Sequence, residues 1–106
     1  MTADQRTIQL RRYEIAPGEL DAFVDWWRTW MPTVRPEAGF TIEWAYVDRE
    51  ANEFVWAVSA AGDAETFLEL ERTYLDSDAR AKAFEGVPQR VAKYHVRLVE
   101  ELPATL

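Results

Sequence analysis

His95 is the sole histidine of a 106-residue chain. Its ordinary pKa lies near neutrality, so it is the first candidate for moving a proton. Arg11, Tyr13 and Arg97 lie in segments that read as strands. A guanidinium clamps a carboxylate or an enolate oxygen through parallel N–H donors, and a phenol donates to a developing oxyanion. Glu43 completes the set, and an ion pair with Arg11 or Arg97 is its more ordinary use. Trp44 and Trp56 offer flat faces on which an aromatic ligand stacks. The candidate site is therefore His95, Arg11, Tyr13 and Glu43 for chemistry, with Trp44, Trp56 and Arg97 for binding. Each has a structural reading as well: a strand histidine is often a hydrogen-bonded scaffold residue, and tryptophans at strand spacing are often core.

What is missing narrows the chemistry further. The chain has no cysteine, which excludes disulfides, thiolate metal ligands and a cysteine nucleophile. A single histidine excludes His-rich metal sites, and neither a metal nor a cofactor is expected. No nucleophile elbow, P-loop, dinucleotide fingerprint, EF-hand or zinc pattern is present. Nineteen acidic against twelve basic residues give a formal net charge of -7. Such a surface repels nucleic-acid phosphates and anionic membranes, so neither is an expected partner. The start, Met-Thr-Ala-Asp-Gln-Arg, carries no apolar targeting core, and no run approaches the roughly 18 apolar residues of a membrane span. The expectation is a cytoplasmic protein, residues 1–106 forming one domain.

The elements that must position these residues centre on Phe40 to Ala60, two alternating runs joined by the polar break Asp48-Arg-Glu-Ala-Asn52. Period-two alternation with aromatic and β-branched enrichment predicts a β-hairpin. In its first run Phe40, Ile42, Trp44 and Tyr46 share one side; in its second, Phe54, Trp56 and Val58 do. Thr7 to Ile15 reads as a strand whose apolar side changes near Arg11-Arg12, which predicts a bulge there or cover on both faces. Glu19 to Val34 reads as a helix with Leu20, Phe23, Val24, Trp27, Met31 and Val34 on one stripe, bent or ended at Pro32. Trp26 and Trp30 lie beside the stripe, as flank packing, a subunit interface or a pocket wall. Ala64 to Tyr74 reads as a second helix capped by Asp63, and Asp78 to Phe84 as a further short one. Tyr94 to Leu102 closes the chain as a strand, with Pro103 ending it.

Strand, helix, strand, strand, helix, strand with right-handed crossovers gives an α+β, ferredoxin-like βαββαβ sandwich. Its sheet is four-stranded and antiparallel, with the helices on one face. If each strand turns its more apolar parity toward the helices, the open face collects Gln9, Arg11, Tyr13, Thr41, Glu43, Ser59, His95 and Arg97. That face is either wet or closed over by a second sheet, in which case its charges must pair or bind a ligand.

Leu10-Arg11-Arg12-Tyr13, Pro17-Gly18-Glu19-Leu20 with Phe23, Gly39-Phe40 and Glu53-Phe54-Val55-Trp56 resemble the NIPSNAP family, over a match running from about Thr7 to Leu102. The resemblance implies a dimeric α/β barrel, a homodimer whose two sheets face each other. It supplies no catalytic set to carry over. Relatives in the wider superfamily include cofactor-independent monooxygenases, haem-degrading monooxygenases and small isomerases; the haem-degrading members use a helix-borne histidine, whereas His95 is placed on a strand.

The sequence thus points to a dimeric barrel binding a small apolar or aromatic molecule, with cofactor-independent monooxygenase or isomerase chemistry as its enzymatic version. The rival is a non-catalytic interaction module that presents Trp26 and Trp30 to a protein partner.

Overall fold

A computed structural model describes residues 5–102. In chain order the elements are β1 (Arg6–Ile15), α1 (Leu20–Glu37), β2 (Thr41–Asp48), β3 (Glu53–Ala61), α2 (Ala64–Leu75), α3 (Asp78–Phe84) and β4 (Val91–Val99). The strands form one antiparallel sheet in the order β2-β3-β1-β4. The helices pack on one side of it, which is the α+β, ferredoxin-like arrangement the sequence predicts. Pro103 lies outside the described residues.

The local causes are legible. Asp63 caps α2 by accepting the Thr66 N–H at 2.9 Å, and Ser77 does the same for α3 with Arg80 at 3.2 Å, each satisfying an orphan donor of a first turn. α1 does not end at Pro32, and it runs on through Pro36. Pro32 is exposed, and so is Arg28, whose carbonyl loses its helical donor to the proline ring and faces water instead. The helix stops at Gly39, whose φ of +103° is open to glycine and strained for other residues.

The core lies between the sheet and α1/α2. Leu20, Phe23, Trp27, Met31 and Val34 of α1 and Phe67 and Tyr74 of α2 meet Tyr13, Phe54, Trp56 and Val58 of the sheet. Aromatic rings carry much of it: Trp27 meets Phe54 at 5.1 Å and Trp56 at 5.3 Å, and Phe40 meets Phe67 at 5.5 Å.

The strand faces differ from the expected ones in two places. β1 runs without a bulge at Arg11-Arg12, and its pairing opposite Val58, Trp56 and Phe54 turns Gln9, Arg11 and Tyr13 toward the helices. Ile8, Leu10, Arg12 and Glu14 take the open face. In β2 the register against β3 slips between Ile42 and Trp44, leaving Glu43 as the extra residue. A bulge of one residue reverses the parity beyond it. Trp44 and Tyr46 therefore leave the side of Ile42 for the open face, where they are 38% and 63% exposed and their rings lie 5.1 Å apart.

Candidate functional site

Between the helices and the sheet is a cavity of about 120 Å³, walled by Phe23, Trp26, Trp27, Met31 and Arg35 of α1, Arg11 and Tyr13 of β1, Trp56 of β3, Tyr74 and Leu75 of α2, Arg80 and Phe84 of α3, and Val91 and Tyr94 of β4. Its depth comes from the packing of large flat side chains that do not tessellate. Leu75, Phe84 and Tyr94 are the exposed large apolar residues of its lining, on the side toward solvent. β4 is an edge strand, and α3 bridges toward it from α2.

The inner end is polar. Arg11 Nε donates to Tyr13 Oη at 2.7 Å, and Arg11 also donates to Gln9. Glu71 of α2 accepts from two guanidiniums, from Arg35 at 2.7 Å and from Arg11 at 3.2 Å. Arg35 stands over three rings, with its Cζ 4.2 Å from Tyr74, 4.7 Å from Phe40 and 5.4 Å from Trp56. Such a box holds a cation through the negative faces of the rings. Burial pulls the Arg11 pKa down, and the attraction of Tyr13 and Glu71 with their hydrogen bonds outweighs it, so that it ends above its ordinary value. Burial pushes the Tyr74 phenol up, against the pull of Arg35 and Arg80, so Tyr74 stays protonated at neutral pH. Tyr74 donates to the sulfur of Met31 at 3.8 Å.

Three buried donors of the wall have no hydrogen-bond partner: Trp27 Nε1, Trp56 Nε1 and Arg35 Nε. Their residues are 7%, 2% and 3% exposed. A buried unpaired N–H costs about 1–3 kcal/mol, and these three are packed away from solvent in the layer around the cavity.

The structure divides the expected site. Arg11, Tyr13 and Trp56 line the cavity. His95, Glu43, Trp44 and Arg97 lie across the sheet, on its open face, because Arg12 pairs with His95, Leu10 with Arg97 and Ala57 with Trp44. His95 Nε2 lies 2.7 Å from Glu14 rather than near Arg11 or Glu43, and this bond holds the Glu14 carboxyl below its ordinary range. Glu43 accepts from Ser59 at 2.5 Å and lies 3.5 Å from Arg6, so the pairing of Glu43 with Arg11 does not occur. Seven residues read as one group are two groups on opposite faces.

Arg35, Glu71, Tyr74 and Arg80 escaped the sequence reading. Arg35 follows Met31 by four and Trp27 by eight, a spacing that places it on the buried stripe of α1; Glu71 stands on the inner line of α2 with Phe67 and Tyr74. Charged residues at inward positions were the available signal. Trp26 and Trp30 are partly buried against the core, and Trp26 Nε1 donates to the Ala83 carbonyl at 2.8 Å, so Trp26 ties α1 to α3. Among the described residues, no group of three or more His, Asp or Glu could hold a metal ion, and no helix is long and apolar enough to cross a membrane.

No family model matches the chain, and no curated protein matches it in sequence. Solved structures do match it in fold. A NIPSNAP family protein of Agrobacterium tumefaciens superposes with a TM-score of 0.78 at 11% identity, covering 92% of this chain and 94% of its own. A NIPSNAP-like domain protein of Burkholderia xenovorans superposes with a TM-score of 0.77 at 13% identity, covering 96% of this chain and 90% of its own. A Bacteroides thetaiotaomicron protein named as an antibiotic biosynthesis monooxygenase gives 0.64 at 18% identity, covering 96% and 92%. The chain therefore has the fold that the solved NIPSNAP-domain proteins share.

Proposed function

We propose that the protein binds a small aromatic molecule in the cavity between helices and sheet, and that it acts as a homodimer closed over the open sheet face. The observation that carries the binding reading is an aromatic-walled cavity with Arg11, Arg35, Arg80 and Tyr13 among its lining residues. Ligand sites are concave, largely apolar and fitted with a few fixed polar groups, and this cavity has that composition. The dimer is supported by the other face of the sheet. Helices cover one side, while Trp44 and Tyr46 with Ile8, Leu10 and Val55 stand on the side they leave open, and an exposed aromatic surface of that kind is what a sheet-on-sheet contact buries.

Binding and polarisation of a carbonyl fit the wall better than proton abstraction. Arg11 donates to the Tyr13 oxygen, leaving the phenolic O–H free to donate to a ligand oxygen. No carboxylate or imidazole is among the lining residues to act as a base. The enzymatic version, cofactor-independent monooxygenase or isomerase chemistry, would therefore rest on Arg11 and Tyr13 as oxyanion donors. The similarity to a protein named as a monooxygenase agrees with that version. The interaction-module reading loses support from the Trp26 bond to α3.

The test uses Met31, one of two methionines in the chain and part of the cavity wall. Protein labelled at its methionine methyls is titrated with a panel of one-ring aromatic compounds. The Met31 resonance is expected to shift and to saturate with at least one of them. A Met31 signal unmoved across the panel would overturn the binding reading.

A further inference from the structure

The charge and the size of the cavity narrow its ligand. Arg11, Arg35 and Arg80 line it, and no Asp or Glu is among the lining residues. Glu71, behind the wall, is shared between Arg11 and Arg35, so one carboxylate answers two guanidiniums and Arg80 adds a third cation. In a cavity walled by tryptophan and phenylalanine the local dielectric is low, and such an imbalance draws an anion strongly. A neutral hydrocarbon would leave the guanidiniums of the wall unanswered, and a cation would add to the excess of positive charge. An oxyanion supplies lone pairs and negative charge together.

The volume of about 120 Å³ sets the other limit. An enclosed protein cavity of about 150 Å³ takes up benzene, so this one, slightly smaller and open at its mouth, matches a single ring with its substituent toward an end better than fused rings. The walls fit a flat ring: Phe23, Trp26, Trp27 and Trp56 present aromatic faces and edges, and edge-to-face contact favours an aromatic guest over an aliphatic one of equal size.

We infer that the cavity binds a one-ring aromatic anion, a benzoate- or phenolate-type molecule with its oxyanion turned toward Arg11 and Arg35 and its ring among the tryptophans. This rests on the cavity being a binding site at all, and the experiment separates the two. Sodium benzoate, its neutral isostere benzamide, and 2-naphthoate are titrated calorimetrically into the full chain at neutral pH, each with the Met31 methyl resonance as the site marker. Benzoate is expected to bind at least tenfold tighter than benzamide and at least tenfold tighter than 2-naphthoate. Glu71→Gln keeps an acceptor oxygen for one of the two guanidiniums while removing the competing charge, and it is expected to tighten benzoate at least threefold with benzamide unchanged. Arg80→Gln, at the half-buried outer end, is expected to weaken benzoate about threefold and to leave benzamide unchanged.

Equal affinity for benzoate and benzamide, or weaker benzoate binding in Glu71→Gln, would overturn the anion inference while the shifted Met31 signal kept the cavity as a binding site. Naphthoate binding as tightly as benzoate would overturn the one-ring limit. A Met31 signal that none of the three moves would remove the site itself.

Discussion

Glu71 of α2 and Arg35 of α1 meet at 2.7 Å across the helix pair, with side chains 12% and 3% exposed. Removing one partner of a buried pair strands the other as an uncompensated charge, which costs about 3–5 kcal/mol. Glu71→Ala is thus expected to lose roughly that much in urea denaturation, because it frees Arg11 and Arg35 together. Glu71→Gln is expected to lose less, because its side-chain oxygen still accepts from one guanidinium. The double replacement Arg35→Met with Glu71→Met is expected to recover part of the stability lost in Glu71→Ala, since it leaves only Arg11, still bonded to Tyr13 and Gln9, without its carboxylate. A double variant less stable than Glu71→Ala would show that this ion pair contributes more than its desolvation costs.

His95 is separated from the cavity by the thickness of the sheet, and its partner is Glu14. The sequence reading gives it the central chemical part, as the first candidate for moving a proton. The geometry predicts instead that His95→Ala leaves benzoate affinity within twofold of wild type by calorimetry. It also predicts a pH signature. The Glu14 carboxyl is lowered, first by the His95 hydrogen bond. A lowered carboxyl contributes stability that is in place above its unfolded value and fades as pH falls through the folded one. Wild type and His95→Ala are therefore expected to differ in unfolding free energy above the ordinary carboxylate range and to converge in acid. A gap that persists undiminished once the carboxyl is protonated in both the folded and the unfolded state would reject the pairing.

The order of elements was readable from the sequence because alternation, helical stripe and cap each report on local geometry: Asp63 caps α2, and Phe54, Trp56 and Val58 face the helices as their parity implies. Two things were not. The bulge at Glu43 has no residue signature, and one unpaired residue moved Trp44 and Tyr46 to the other face. In β1, Ile8 and Leu10 drew the helix-facing side to the wrong parity. The true inward set of Gln9, Arg11 and Tyr13 looks polar, and it is inward because Glu71 and the rings around Arg35 satisfy it. A parity argument counts apolar residues and cannot see a partner sixty positions away. The fold survives such errors because its core depends on stripes, whereas the site depends on which face each charge takes.

The open face gives a test of assembly. Trp44 and Tyr46 form an exposed aromatic pair beside the bulge, where a second sheet would cover them. Wild-type protein is expected to sediment as a dimer at micromolar concentration, and Trp44→Glu as a monomer, since a charge buried without a partner at an interface is strongly disfavoured. Trp44→Glu should keep its far-ultraviolet circular dichroism, because Trp44 lies outside the core. A wild-type monomer, or a Trp44→Glu dimer, would exclude this face as the interface.

Trp26 ties α3 to α1 at the wall of the cavity. Its indole N–H donates to the Ala83 carbonyl at 2.8 Å and its ring lies 4.8 Å from Phe84, so one side chain of α1 holds the seven-residue α3 in place. A helix that short is not stable alone, and its order derives from docking. Trp26→Phe keeps a ring against Phe84 and removes the donor, which is worth about 1 kcal/mol. Hydrogen exchange should then speed up in α3 and at the Arg80 end of the cavity while α1 and β3 keep their protection, as expected when a segment opens locally rather than with the whole molecule. Acceleration spread evenly over all elements would mean that Trp26 supports the core in general. Acceleration confined to α3 would identify the Trp26 to Ala83 bond as the hinge on which the mouth of the cavity opens.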